Sequence, residues 1–507
     1  MKNLVDHWLV RTSVLAGQAA LTLALALASA QAAAQTGNPA LPSLGDSSED
    51  SLSPESERRL GEVLMRYIRG TAAGPLDDPE LESYLQSLVA RLAQHNDSAR
   101  GLGFELFAIG DASINAFALP GGFIGVHTGL ILEAQAESEL AAVLAHEIAH
   151  VSQRHIARRL EQQRQSRGIA IASLLAAVLA ARASPDAMGG LLALGGSVQM
   201  QQMLGFSREA EREADRIGLE MLRGAGFDPQ AMVTIFGRMQ AASRLNERAE
   251  QSYFRTHPFT GERMADIQNR VLALRYRQHA SSLDFALLRA RLSALADRDR
   301  FRLQERGVSL RRQLDQGAIE AGPARYALAA IALALDAPAQ AREEIGLARA
   351  ALGERGRHRF IEALAAEIEL AAGRPREALQ SAQAALVGAP GSRALLRITA
   401  RALAAGAAEP AQALTFLRTS ARSIGTDPVL WEMLAQAESA SGRTGQAHRA
   451  MAERYALSSS LPAAVEQLEL ALKARTLDFY EASEVDVRRR VLMSRFVQEN
   501  ELLKGLR

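Results

Sequence analysis

The sequence contains no cysteine among its 507 residues. That excludes a disulfide framework, a thiolate-ligated metal and a lipid-attachment cysteine. Aromatic residues make up only 5% of the chain, with two tryptophans, so any core must be built mainly from aliphatic side chains. Alanine, leucine and arginine are abundant, which favours helix. Charge of one sign is also missing: 58 Lys and Arg face 57 Asp and Glu, for a net charge of +1. The chain has no bulk positive charge with which to hold a polyanion, and nucleic acid is not an expected partner.

Long apolar runs are scarce too, with one exception at the N-terminus. Lys2 and Arg11 precede an apolar run from Val14 to Ala28, and the small residues Ala-Ser-Ala-Gln-Ala-Ala-Ala-Gln follow at 28–35. This is the order of a cleaved secretory signal, with cleavage after Ala30 or Ala34, and the small-residue exit favours it over a membrane anchor. A secreted chain without cysteine fits a bacterial periplasm. No other run reaches the roughly 18–20 apolar residues of a spanning helix. Residues 1–34 are read as signal peptide. Residues 35–58, rich in Ser, Pro, Gly, Asp and Glu, are read as a flexible spacer.

What the chain does contain is His146-Glu147-Ile148-Ala149-His150. It lies in a helical pattern that begins near Glu137, with an apolar stripe of Leu140, Val143, Leu144, Ile148 and Val151. Residues four apart share a helix face, so His146 and His150 can aim at one ion. Glu147 lies to one side, where it can act as general base. Chance is the alternative, with both imidazoles buried and hydrogen-bonded. A catalytic zinc site needs a third ligand, often a carboxylate from a later helix. The run Ser207-Arg208-Glu209-Ala210-Glu211-Arg212-Glu213-Ala214-Asp215 offers one on a helix that continues to about Arg223. Glu211 can ligate, and Asp215, on the same face, can hold a ligand histidine by its other ring nitrogen. The plain alternative is a solvated acidic face paired with Arg208 and Arg212.

Other segments frame this helix. Helices are expected over Arg59–Arg69 and Pro79–His95, and a strand over Phe104–Ile109. Two more strands, joined by Pro120-Gly121-Gly122, are expected on either side of that turn. An extended peptide can add to the edge of such a sheet, with Asn115, Ala116 and Phe117 as the substrate strand; the alternative is that the strands only build core. His127 and His155 are read as structural, the latter because it falls off the metal face of a continuous helix. Residues 168–183 and 189–206 are apolar but too short to span a bilayer. They are read as buried helices, a cover over the site, or a patch for peripheral membrane contact. One or two long helices are expected from about Asp266 to Arg312. Beyond them Ala341, Ala378, Ala413 and Ala447 recur at close to tetratricopeptide spacing, with Trp431 and Pro390 in register. Such repeats stack into a curved surface with a groove.

The His146-to-His150 motif followed by Glu211-x-x-x-Asp215 resembles the M48 peptidases, and the Asn115–Gly122 segment and Thr256-His257-Pro258 match as well. The resemblance covers roughly residues 55–270. It implies one Zn2+ per chain, with His146, His150 and Glu211 as metal ligands, Glu147 as catalytic base and Asp215 behind a ligand. It also implies that His257 lies on a loop that can supply a fourth ligand and plug the site. Arg263 and His257 are the candidates for stabilising an oxyanion. The expected architecture is mainly α with a small β-sheet: a zincin-like metalloprotease domain (59–270), a helical linker (271–320) and an α-solenoid of tetratricopeptide-like repeats (321–507). The expected function is a secreted zinc endopeptidase acting on unfolded or misassembled proteins. By the resemblance, its clients are outer-membrane β-barrel proteins and the partner of its repeats is the barrel-assembly machinery. The rival reading is an assembly adaptor or chaperone whose metal site is largely self-inhibited.

Overall fold

The computed structural model describes residues 53–69, 74–162, 206–245, 253–275, 279–458 and 460–504. The signal and most of the spacer lie outside them, as does the apolar stretch at 168–205. Among the described residues no helix is long and apolar enough to cross a membrane.

The N-terminal part carries helices α1 (Pro54–Arg69) and α2 (Pro79–Ala93), then strands β1 (Glu105–Ile109), β2 (Ala116–Leu119) and β3 (Phe123–His127). Asp78 caps α2 by accepting from Leu81 N–H, and Pro79 presets its first turn. The sheet order is β1-β3-β2, with β3 parallel to β1 and antiparallel to β2. Pro120–Gly122 forms the turn between β2 and β3, and Gly121 and Gly122 both take positive φ. Gly122 is required: a Cβ there would sit 2.8 Å from the Gly103 carbonyl oxygen. β2 is an edge strand whose register with β3 pairs Phe117 with Gly125.

Then come α3 (Thr128–Glu133), α4 (Glu137–Ser152) and α5 (His155–Gln162). α4 is the central helix, buried from Glu137 to His150. Leu140, Val143, Leu144 and Ile148 have no exposed surface. Burial of each stabilises the fold by about 1.5–3 kcal/mol. α6 (Arg208–Gly224) packs along α4, and α7 (Gln230–Leu245) and α8 (Gly261–Leu272) close the layer. Ser207 starts α6 and Thr260 starts α8, each accepting from a backbone N–H in the first turn. Gly218 sets how near α6 comes to α4. A Cβ there would lie 3.1 Å from the His146 backbone nitrogen, so a larger residue would push the two helices apart by a few tenths of an ångström.

The stretch expected to hold one or two long helices holds α8, α9 (Leu283–Ala294) and α10 (Arg300–Asp315). Ser282 and Asp299 break it by capping new helices, a local signal that the smooth apolar spacing hides. Paired helices follow: α11 (Ala321–Ala334) and α12 (Pro338–Leu352), α13 (Arg359–Ala371) and α14 (Pro375–Gly388), α15 (Arg393–Ala402) and α16 (Pro410–Ile424), α17 (Pro428–Ala440) and α18 (Thr444–Leu457). α19 (Leu461–Lys473) and α20 (Phe479–Lys504) end the array. Ala341 and Ala378 are fully buried between paired helices and Ala413 nearly so, whereas Ala447 is only half-buried.

One apolar core runs from α2 and α4 through Phe285, Leu287 and Leu288 of α9 to Phe360, Ile361 and Ile368 of α13. Ion pairs border it. Arg291 bridges Asp78 and Glu80, Arg393 reaches Glu82, and Arg397 joins Asp77 to Asp427.

Candidate metal centre

His146 and His150 sit one turn apart on α4, as their spacing predicts, with their Nε2 atoms 3.0 Å apart. α6 brings Glu211 against them. Its carboxylate oxygens lie 3.4 Å from His146 Nε2 and 3.5 Å from His150 Nε2. Glu211 and Asp215 are 0% and 2% exposed, whereas their neighbour Glu209 is exposed and pairs with Arg212. The acidic face is therefore divided: one side is ordinary surface and the other is turned inward, where carboxylates need partners.

The loop before α8 delivers a fourth donor. Tyr253–Thr256 makes a single helical turn, and His257 N–H donates to the Tyr253 carbonyl. His257 itself, ahead of Pro258, is non-helical, as the His-Pro pair predicts. The turn before it brings His257 Nδ1 to 3.0 Å from Glu211 Oε1 and 3.3 Å from His146 Nε2. His257 is 1% exposed, and Tyr253 stacks on it with ring centroids 4.5 Å apart. Phe206, the one described residue of the 189–206 stretch, stacks on His150 at 3.7 Å.

This donor set fits a zinc ion. A tetrahedral ion with ligands at 2.0–2.1 Å separates its donors by about 3.3 Å. The donor atoms of His146, His150, Glu211 and His257 lie within 4.8 Å of one another, all buried. In addition, Glu147 Oε2 is buried with no hydrogen-bond partner.

Around the donors the electrostatics are specific. Asp215 Oδ1 is 3.0 Å from His146 Nδ1. Arg263 is 2% exposed. Its Nε and Nη2 donate to the two Asp215 oxygens at 2.7 and 2.8 Å, and its Nη1 donates to the Pro258 carbonyl at 2.8 Å. Nη1 also lies 2.5 Å from Glu211 Oε2. Burial pushes the Asp215 pKa up, but the hydrogen bonds from His146 and Arg263 outweigh it and hold the carboxyl below its ordinary value. Burial pulls the His146 pKa down, yet Asp215 and Glu211 carry it up to about 9. On Glu147 burial acts in the opposite sense. Burial raises its pKa, opposed by His257 and His146, and Tyr253 OH donates to its Oε1 at 3.3 Å.

Several placements were not legible in the sequence. Arg263 is not positioned as an oxyanion donor, because its guanidinium is consumed by two carboxylates and a carbonyl. His155 stays outside the donor cluster, as expected, but it is not carried there by a continuous helix. α4 ends at Ser152, and Arg154 takes φ 51°, so His155 opens a new helix that folds back onto His150. No glycine or proline marks that break. His127 stays apart, held by Ser113. Asn115, Ala116 and Phe117 lie at and on the edge strand β2, which packs against α4.

Residues 76–271 match Peptidase family M48. The chain is 34% identical over 452 residues to the beta-barrel assembly-enhancing protease of Escherichia coli strain K12, covering 88% of this chain and 90% of that protein. It is 32% identical over the same shares to the protein of that name from Yersinia pestis. It is also 38% identical over 167 residues, 33% of this chain and 46% of the relative, to a mitochondrial metalloendopeptidase of Schizosaccharomyces pombe. With a buried three-histidine, one-carboxylate cluster built on His-Glu-x-x-His, the chain belongs to the M48 peptidases and is a zinc metalloendopeptidase.

Proposed function

We propose that this chain is a periplasmic endopeptidase that cleaves unfolded or misassembled outer-membrane β-barrel proteins, and that its helical array binds the barrel-assembly machinery. His146, His150 and Glu211 hold the zinc, Glu147 is the base and His257 closes the site at rest. The observation that carries this reading is the convergence of His257 on the three other donors, next to the buried carboxylate of Glu147. The barrel substrates are supported by the names of the relatives. Secretion is supported by the N-terminal signal pattern, with 1–34 as signal peptide, 35–58 as a spacer whose last residues, from Pro54, already belong to α1, 59–270 as protease domain, 271–320 as linker and 321–507 as tetratricopeptide-like repeats.

When bound, zinc polarises the scissile carbonyl and lowers the pKa of water. The chain's own residues do the rest. Asp215 keeps the His146 ring oriented by its Nδ1. Glu147 takes a proton from the attacking water and returns it to the leaving amine. A substrate segment lies in extended form beside β2, where Asn115, Ala116 and Phe117 offer main-chain groups and an edge. His257 is 3.4 Å from Glu147 Oε1 by its Nε2, so at rest it stands between the base and any substrate.

That same closure supports a second reading, in which the chain serves assembly mainly as an adaptor. Glu147→Gln separates the two. It should keep zinc and fold while abolishing cleavage of an unfolded barrel protein. Full support of barrel assembly by a chain whose wild type cleaves nothing would sink the protease reading.

A further inference from the structure

We infer that His155 and Glu213 form a hydrogen-bonded relay that fixes the tautomer and orientation of His150, and so sets how tightly the site holds zinc. The inference rests on His150 being a zinc ligand through Nε2. His155 Nδ1 lies 2.8 Å from His150 Nδ1, and its Nε2 lies 3.1 Å from Glu213 Oε2. His155 is 3% exposed, and Arg158 Nη1 holds the same Glu213 oxygen at 3.2 Å.

Only one arrangement of ring protons satisfies this chain of atoms. A ligating Nε2 gives up its lone pair, so the His150 proton must sit on Nδ1. That N–H donates to His155 Nδ1, which must then be unprotonated. The His155 proton moves to Nε2 and donates to the Glu213 carboxylate. Reversing any one proton leaves two N–H groups, or two lone pairs, facing each other in a buried space. A carboxylate therefore orients His150 through an intervening imidazole, just as Asp215 orients His146 directly at 3.0 Å. Both carboxylates come from α6, which also carries Glu211. One helix thus supplies the third ligand and the orienting group for each of the other two. Losing such a partner weakens metal binding by about 10–100-fold in general.

His155 is a positioning residue, and the test reads metal affinity rather than turnover. Zn2+ affinity of the full-length protein is measured by competition with a chromophoric chelator, alongside thermal melting after metal removal. His155→Leu fills the space but breaks the relay, and should weaken Zn2+ binding about 10–100-fold. His155→Gln can accept from His150 through its oxygen and donate to Glu213 through its nitrogen, so it should recover most of the loss. Leucine and glutamine variants weakened alike, or a leucine variant that binds as wild type does, would overturn the relay. If His155→Leu also melts earlier without metal, a double substitution with Glu213→Ala decides. Affinity losses that fail to add support the relay and simple addition refutes it. His150→Ala is the control for the underlying assignment: full Zn2+ affinity there means that His150 is not a ligand, a failure distinct from that of His155.

Discussion

Replacing Arg263 by methionine tests how the centre tolerates its own acidity. The arginine is 2% exposed and is the cation shared by Glu211 and Asp215, which lie on one face of α6. Methionine keeps much of the stem volume and removes the charge, the bidentate bond to Asp215 and the tether to the Pro258 carbonyl. Breaking a buried ion pair from one side costs about 3–5 kcal/mol, because the remaining charge stays desolvated. Here two carboxylates are left, so the upper end is expected in metal-free protein. Bound Zn2+ neutralises Glu211, and the penalty should shrink when the site is loaded. Denaturant unfolding, followed by hydrogen exchange in α6 with and without chelator, reads both values. Asp215→Asn combined with Arg263→Met should cost less than the sum of the two. A cost below about 1 kcal/mol, the value of an exposed pair, in both states would refute the neutralising role.

The remaining predictions concern the donors and one distant carboxylate. His257→Ala should raise proteolysis of an unfolded barrel protein without loss of zinc; unchanged or lower activity counts against a plug. Glu211→Gln should release zinc, and full metal content by elemental analysis would remove Glu211 from the ligand set. Glu80 is buried, and burial raises its pKa from 4.5 to about 7 despite the Arg291 counter-charge. The folded state then holds a proton that the unfolded state has lost between those values, so this group's stabilisation is full below pH 4.5 and is lost as pH rises to about 7. The loss is of order 3 kcal/mol at most. Glu80→Gln should flatten stability over that window, and an unchanged slope in denaturant titrations would show that Arg291 fully compensates the charge.

The helix α4, its apolar stripe and its ligand pair were readable because their information is local: a period of 3.6 and a four-residue spacing. The strands on either side of Pro120–Gly122 were readable for the same reason, since the turn residues lie beside the strands they join. Glu211 and Asp215 were readable only through a motif, because an inward acidic face has the same spacing as a solvated one. Their burial depends on where α6 crosses α4, and Gly218 sets that approach. The breaks at Ser282 and Asp299 were missed where helical periodicity outweighed the caps.

By itself the sequence determined which residue types could hold a metal, on which helix two of them sit, and that a long helical array follows. Only the tertiary structure decided which charges share a buried space. Arg263 is spent on Asp215 and Glu211, His155 folds back behind His150, and His257 meets the other donors. Each of these contacts joins residues that no single period relates. Inside a low-dielectric core their partners, and not their spacing, fix their protonation and their role.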